Sequence, residues 1–333
     1  MSRRSGLPAA AAALLCAALS GCRGIQSSLD PAGREAAKIS GLWWLFFYVC
    51  TAVFVLVLAF LFYGVFRRRS EDALGARERG KTYVAIGAGA TAAILLLFLV
   101  VSVSAGREIA EPAGPDALKV QVIGHQWWWE VRYPASPANR TVVTANEIHV
   151  PVGRPVFLEL LSGDVIHSFW APNLHGKKDL IPGRINSHAF TAKKAGVFRG
   201  QCAEFCGLQH AHMAFTIFAE TPERYSAWYE KQLAPAAEPS TPSQERGRQV
   251  FVSNSCVFCH AIQGTPAFGQ VAPDLTHVGG RGTLAAGSVA NNPGNLAGWI
   301  ADPQSIKPGN HMPPMLMAPE DLLAVTDYLE SLK

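Results

Sequence analysis

Apolar residues are distributed unevenly along this chain: they concentrate before residue 104 and give way to a polar remainder punctuated by proline and glycine. The pattern predicts membrane segments first and globular parts afterwards. An apolar run over residues 7–19 follows Arg3 and Arg4. It is too short to cross a bilayer and reads as the core of a signal peptide occupying residues 1–22. Residues 42–66 and 83–103 each meet the requirement of about 20 apolar residues for a membrane span. They predict a transmembrane hairpin within residues 40–104.

Further along, the segments 120–123, 141–144, 147–150 and 156–160 are short, rich in β-branched residues and separated by Pro, Gly and Asn. Residues 117–222 are therefore expected to form a small β-sandwich or barrel. The stretch 233–244, dominated by Ala, Pro, Ser and Thr, reads as a linker of low order. Residues 245–333 carry helical patterning at both ends, most clearly over 319–332, where acidic residues sit in the first turn. No internal repeat is evident. The expected architecture is a two-helix anchor, an all-β domain and a mostly α domain.

Charge orients the anchor. Arg67, Arg68, Arg69, Arg77, Arg79 and Lys81 crowd the loop between the spans, which places that loop in the cytoplasm and everything after residue 104 outside. Trp43, Trp44 and Tyr48 at the opposite end of the first span suit the headgroup region. The run Gly87-Ala88-Gly89-Ala90 permits close approach of another helix, so a membrane partner is expected. The signal peptide ends on Leu19-Ser20-Gly21-Cys22, which is similar to the lipobox of bacterial lipoproteins, with Cys22 as the modified N-terminus. A formal charge of +4 over 333 residues, with no nucleic-acid-binding motif, excludes a nucleic-acid partner.

Of seven cysteines, Cys16, Cys22 and Cys50 fall in the signal and anchor. The remaining four form two close pairs in an extracytoplasmic setting, where free thiols oxidise unless they are ligated or alkylated. Cys256-Val257-Phe258-Cys259-His260 has the C-x-x-C-H spacing for covalent haem c, with both thiols on the porphyrin and His260 on iron. Met312, in His311-Met312-Pro313-Pro314, is the expected second axial ligand. Met315 and Met317 compete for that place, and His277 and His311 less so. Pro273 and Arg281 are candidates for steadying His260 and a propionate.

The second pair lies in Cys202-Ala203-Glu204-Phe205-Cys206-Gly207-Leu208-Gln209-His210-Ala211-His212-Met213. Such a density of thiols, imidazoles and a thioether favours copper over a hard cation. With His167 from upstream, the donors exceed what one blue-copper ion uses, and a copper pair bridged by both sulfurs uses all of them. A disulfide is the competing reading. His212 falls outside the ligand pattern and is expected to make hydrogen bonds or face solvent.

Taken together, Gly124-His125-Gln126-Trp127-Trp128-Trp129, Asp164-Val165-Ile166-His167-Ser168-Phe169-Trp170, Pro182-Gly183-Arg184, the cysteine loop and the haem motif make the chain resemble subunit II of the haem-copper cytochrome c oxidases. The variant resembled is the caa type, with a cytochrome c domain fused at the C-terminus. The resemblance implies a cupredoxin fold holding binuclear CuA through His167, Cys202, Cys206, His210 and Met213, with Glu204 giving its backbone carbonyl. It also implies a magnesium ion shared between the Glu204 carboxylate and subunit I, and electron entry at Trp127. Electrons would pass from cytochrome c to the fused haem, to copper, and on to the oxygen-reducing site in subunit I, coupled to proton pumping. The linker would then raise the effective concentration of the tethered domain. Implied partners are subunit I, subunit III, cytochrome c and the bacterial cell membrane. The second span lacks the proline and tryptophan often found there, so no proton-channel role is transferred to it. Two other readings stay open from sequence: subunit II of a CuA-containing nitric oxide reductase, and a free-standing membrane-tethered electron shuttle.

Overall fold

The computed structural model describes residues 24–66, 73–110 and 114–333. The expected signal peptide, Cys22 and Arg67, Arg68 and Arg69 lie outside them. Among the described residues, two long helices, α1 (Arg34–Phe66) and α2 (Ala73–Ile109), are both long and apolar enough to cross a membrane. Lys38, near the start of α1, pairs with Glu108, near the end of α2, and the Phe46 and Phe98 rings meet at 4.2 Å. These contacts set the helices antiparallel, as expected of a hairpin. Both helices extend past the apolar runs.

A second compact unit contains everything after the hairpin together with residues 24–36. Its first half is a sandwich of ten strands: β1 (Leu118–His125), β2 (Trp128–Tyr133), β3 (Val142–Ala145), β4 (Glu147–Pro151), β5 (Val156–Ser162), β6 (His167–Trp170), β7 (Lys178–Leu180), β8 (Asn186–Phe190), β9 (Gly196–Cys202) and β10 (Ala214–Glu220). One sheet runs β3-β2-β1-β5-β8 and the other β4-β10-β9-β6-β7. The β1–β5 and β4–β10 pairs are parallel and the rest antiparallel, a cupredoxin-like arrangement. Alternate residues of β1 and β5 point inward, so Val120, Val122, Leu158 and Leu160 meet Trp129, Phe169, Phe215 and Ile217 in one buried core.

The segment before α1 lies against this sandwich, a contact that no local pattern of residues foreshadows. Asn173 ties it down: its side-chain amide donates to the carbonyls of Gly24 and Asp30, and its own carbonyl accepts from Ala32 and Gly33. A Cβ on Gly33 would fall 2.3 Å from the Leu174 carbonyl oxygen, so only glycine allows the approach.

Helix α3 (Pro222–Gln232) closes the sandwich, and the haem-motif half follows: α4 (Pro242–Ser253), α5 (Cys256–Cys259), the short pair β11 (Thr283–Leu284) and β12 (Val289–Ala290), then α6 (Pro293–Ala301), α7 (Pro303–Ile306) and α8 (Pro319–Ser331). The first and last of these helices cross tightly at Gly247, where a Cβ would lie 2.0 Å from the Ala324 carbonyl oxygen. Phe251, Ile262, Leu296, Ile300, Val325 and Tyr328 pack beneath that crossing.

The expected linker differs from the structure. Helix α4 begins inside it, because Thr241 caps the Gln244 amide at 3.1 Å, Pro242 occupies the first turn, and the Gln244 side chain returns to the Ser240 amide at 2.9 Å. A Ser/Thr/Pro-rich composition serves a helix start as well as a linker. Residues 233–241 are also tied down: the Ala236 amide donates to the Gln263 carbonyl and the His277 ring meets the Ala234 carbonyl.

Candidate metal centre

The cysteine loop joins β9 to β10, and β6 lies beside β9 with Phe169 opposite Cys202. This pairing carries His167 to Cys202 although 35 residues separate them. The loop is stitched to its neighbours by backbone bonds from Cys202 to Met213 and from Ala203 to Ser168. The sulfurs of Cys202 and Cys206 stand 3.8 Å apart, unjoined, and both are buried. His167 Nδ1 lies 3.9 Å from the Cys202 sulfur, His210 Nδ1 3.6 Å and Met213 Sδ 3.8 Å from the Cys206 sulfur, and the Glu204 carbonyl oxygen 3.2 Å from the Cys202 sulfur. The donor atoms of His167, Cys202 and Cys206 all fall within 4.8 Å of one another.

Every expected copper ligand is thus gathered around the two sulfurs, one imidazole beside each. Two thiols, two imidazoles, a thioether and a carbonyl, with the sulfurs and His167 buried and His210 half-buried, suit a soft metal pair. The contact with Cys206 is the main reason that the Cys202 thiol lies far below the ordinary thiol range, and the same contact pushes Cys206 up. His212 stays outside the cluster, exposed, with Nδ1 2.8 Å from the Gln209 side chain.

Around the donors lies a set of supporting bonds. His167 is fully buried, and its Nε2 meets Asp164 Oδ1 at 2.7 Å. Burial raises the Asp164 carboxyl, but bonds from His167, Val165 and Gln126 outweigh it and hold the group below its ordinary range. Gly124 makes room for this imidazole, since a Cβ there would press to 2.8 Å of His167 Cδ2. The indole of Trp127 and the amide of Gln126 both donate to the Cys206 carbonyl, at 3.0 and 2.8 Å. Asp164 was visible in the sequence only as part of a motif. Its place three residues before His167 is the signal that could have paired the two.

In the second half, Cys256 and Cys259 bracket the single turn of α5, and both thiols are free. His260 Nδ1 lies 2.7 Å from the Pro273 carbonyl, so it donates there and leaves Nε2 for a ligand. Burial is the main cause of its lowered pKa, which favours the neutral, metal-binding ring. The Arg281 Nε atom is buried without a partner among the described residues, while its Nη2 donates to the Asp274 carbonyl. Phe258, Phe268 and Val271, near the motif, are about three-quarters exposed. An orphaned guanidinium nitrogen and bare apolar side chains around a C-x-x-C-H turn fit a haem with its propionate and its flat faces. Met312 is half-buried, with its amide on Asn310 and its carbonyl on Gln304, and its loop continues into Met315 and Met317, which pack against the core. Both ring nitrogens of His277 face backbone carbonyls, which takes it out of competition for iron.

Residues 135–220 match the family described as cytochrome c oxidase subunit II, periplasmic domain, and residues 244–333 match cytochrome c. Cytochrome c oxidase subunit 2 of Alkalihalophilus pseudofirmus is 38% identical over 95% of this chain and 94% of its own length. The protein of that name from Bacillus subtilis is 31% identical over 96% of each. Among solved structures, the periplasmic domain of subunit II of cytochrome oxidase of Bradyrhizobium japonicum aligns with 36% of this chain and 96% of its own at 32% identity, with a TM-score of 0.34. Similarity to the Alkalihalophilus and Bacillus proteins over nearly the whole chain, with a cupredoxin-like sandwich followed by a helical C-x-x-C-H domain, places the chain in the cytochrome c oxidase subunit II family, among those members that carry a cytochrome c domain.

Proposed function

We propose that this chain is the electron-entry subunit of its oxidase, taking electrons from cytochrome c on its C-terminal domain and passing them through the copper-site domain to the haem-copper subunit I. The observation that carries this reading is the pair of unjoined buried thiols 3.8 Å apart, flanked by His167, His210 and Met213. When bound, covalent haem at Cys256, Cys259, His260 and Met312 and a copper pair at His167, Cys202, Glu204, Cys206, His210 and Met213 supply one-electron redox chemistry. Oxygen reduction belongs to the complex rather than to this chain.

The protein's own residues prepare that transfer. Asp164 fixes the His167 tautomer and ring plane, so a change of metal charge meets a scaffold that need not rearrange. Trp127, 6% exposed and bonded to the Cys206 carbonyl, is the route by which electrons reach the thiolates. Pro273 holds His260 from behind. The exposed Glu204 directs its carbonyl to the cluster and leaves its carboxylate for a magnesium ion at the boundary with subunit I. The basic residues between the two apolar runs support a topology with both soluble domains on the periplasmic side of the bacterial membrane, and subunit III completes the set of partners.

The relatives named as cytochrome c oxidase subunits favour oxygen over nitric oxide as the terminal acceptor, and a complex over a free-standing shuttle. Stopped-flow reduction of the purified oxidase tests the reading. Reduced cytochrome c should reduce the haem of this chain first and copper next, and a C202S/C206S variant should keep haem reduction while losing onward transfer. Onward transfer at an unchanged rate in that variant would overturn it.

A further inference from the structure

Lys307 lies between α7 and the Met312 loop, yet it is 2% exposed. Its ammonium donates to three backbone carbonyls: Trp127 at 2.7 Å, His212 at 2.8 Å and Ala285 at 3.1 Å. All three of its donors are used, which is the condition under which a lysine can be buried. Two of the acceptors belong to the copper-site domain and one to the cytochrome domain, so the ammonium is a shared bolt across the domain boundary. The Trp127 residue whose carbonyl it holds also bonds the Cys206 carbonyl, and the His212 carbonyl directly precedes Met213.

Other bonds cross the same boundary. The Gly282 amide donates to Glu147 Oε1 at 2.7 Å, the Ala214 amide to the Ala286 carbonyl at 3.0 Å, and the Gln209 side chain to the Pro308 carbonyl at 2.5 Å. Four residues beyond Lys307, the His311 ring stands 5.3 Å from that of Trp127, inclined at 49°. The short stretch 307–312 therefore carries the bolt, a ring in contact with Trp127, and Met312.

We propose that Lys307 is a positioning residue that locks the cytochrome c domain onto the copper-site domain and thereby holds His311 against Trp127 as the contact through which the fused domain delivers its electron. The fused domain is thus a docked donor rather than one swinging on a tether. This rests on the electron-entry reading above and adds a fixed geometry to it. Substituting methionine keeps most of the apolar stem but takes the ammonium from the Trp127 and His212 carbonyls, while the Ala285 carbonyl keeps the Ser288 hydroxyl at 2.8 Å, and it weakens the interface without replacing any of the proposed metal ligands.

The test compares the wild-type oxidase complex with its K307M variant by hydrogen exchange and by flash-initiated electron transfer. In the wild type the Gly282 and Ala214 amides, whose acceptors lie across the boundary, should exchange slowly. Exchange there at the rate of free amides would by itself overturn the proposal. In K307M, with haem and copper spectra intact, exchange at these amides should rise and haem-to-copper transfer should fall, each about tenfold. Interior amides such as Thr216 should be unchanged, as should direct photoreduction of copper by a small ruthenium donor. Protection and transfer both at wild-type values in K307M would sink the proposal. If K307M does not assemble, the wild-type exchange pattern decides. Absence of the copper signal from the wild type would instead count against the electron-entry reading.

Discussion

His167 Nε2 and Asp164 Oδ1 lie 2.7 Å apart, so the imidazole that turns Nδ1 toward the Cys202 sulfur is gripped from its other side by a carboxylate. The same carboxylate accepts from the Gln126 and Val165 amides at 2.6 Å each. It therefore joins the strand-end turn that bears Trp127 to the turn that leads into β6, and His167 reaches its place by covalent and hydrogen-bonded constraint together.

Replacing that carboxylate should loosen the ligand without removing it. D164N is expected to lower copper affinity by about ten- to a hundredfold while leaving the fold intact. Competitive chelator titration of the copper-loaded protein measures this, and an affinity within error of the wild type would contradict the assigned role.

Met312 as the axial thioether can be separated from its neighbours by substitution. M312A should abolish the sulfur-to-iron charge-transfer band and lower the haem potential by on the order of 0.1–0.3 V, whereas M315L should leave both nearly unchanged. Spectroelectrochemistry of the full chain decides between them. The reverse pattern would move the ligand to Met315, whose sulfur lies 3.8 Å from the Ser255 hydroxyl beside the haem motif.

His188 gives the sandwich a pH dependence. Its ring is buried, its Nε2 has no partner among the described residues, and the His175 ring stands 3.9 Å away. Burial, reinforced by His175, pushes its pKa well below 6.5. The unfolded chain therefore takes up the proton more readily, and this contribution is fully present above the ordinary histidine pKa and lost as pH falls toward the folded value. The melting temperature of the detergent-solubilised chain should fall between about pH 7 and pH 5, and H188F should flatten that slope. An equal slope in the variant would refute the assignment.

The helix start at Thr241 gives the simplest stability test. T241A should cost the haem-bearing domain about 1 kcal/mol, read as a lowered midpoint of guanidinium unfolding followed by haem absorbance. An unchanged midpoint would show that Pro242 and the Gln244 return bond suffice.

Thr241 also illustrates where reading the sequence falls short. The strands around Val120, Glu147 and Val156 were legible because alternating β-branched residues between turn formers have few other uses, and the hairpin because some 20 apolar residues have almost none. Ser240-Thr241-Pro242 was ambiguous, since the same residues disfavour a helix interior and favour its first turn. The donors that meet around Cys202 and Cys206, and the C-x-x-C-H turn, were legible because soft donors at fixed spacing are rare. Lys307 was not, because nothing local distinguishes a lysine that solvent surrounds from one that two domains close upon. Asn173 and Gly33 were hidden for the same reason: their partners lie some 140 residues away in the chain.

Electron entry through this chain requires that Cys202 and Cys206 hold a bridged copper pair and that the C-terminal domain carries a covalently bound haem. The decisive experiment is metal analysis with electron paramagnetic resonance on the purified chain, matured with haem attachment and loaded with copper. The expected result is a pair of coppers and one haem per chain, with the hyperfine pattern of an unpaired electron shared equally by both copper nuclei. A single copper with an isolated-ion pattern, or a disulfide between Cys202 and Cys206 in the copper-treated protein, would contradict it.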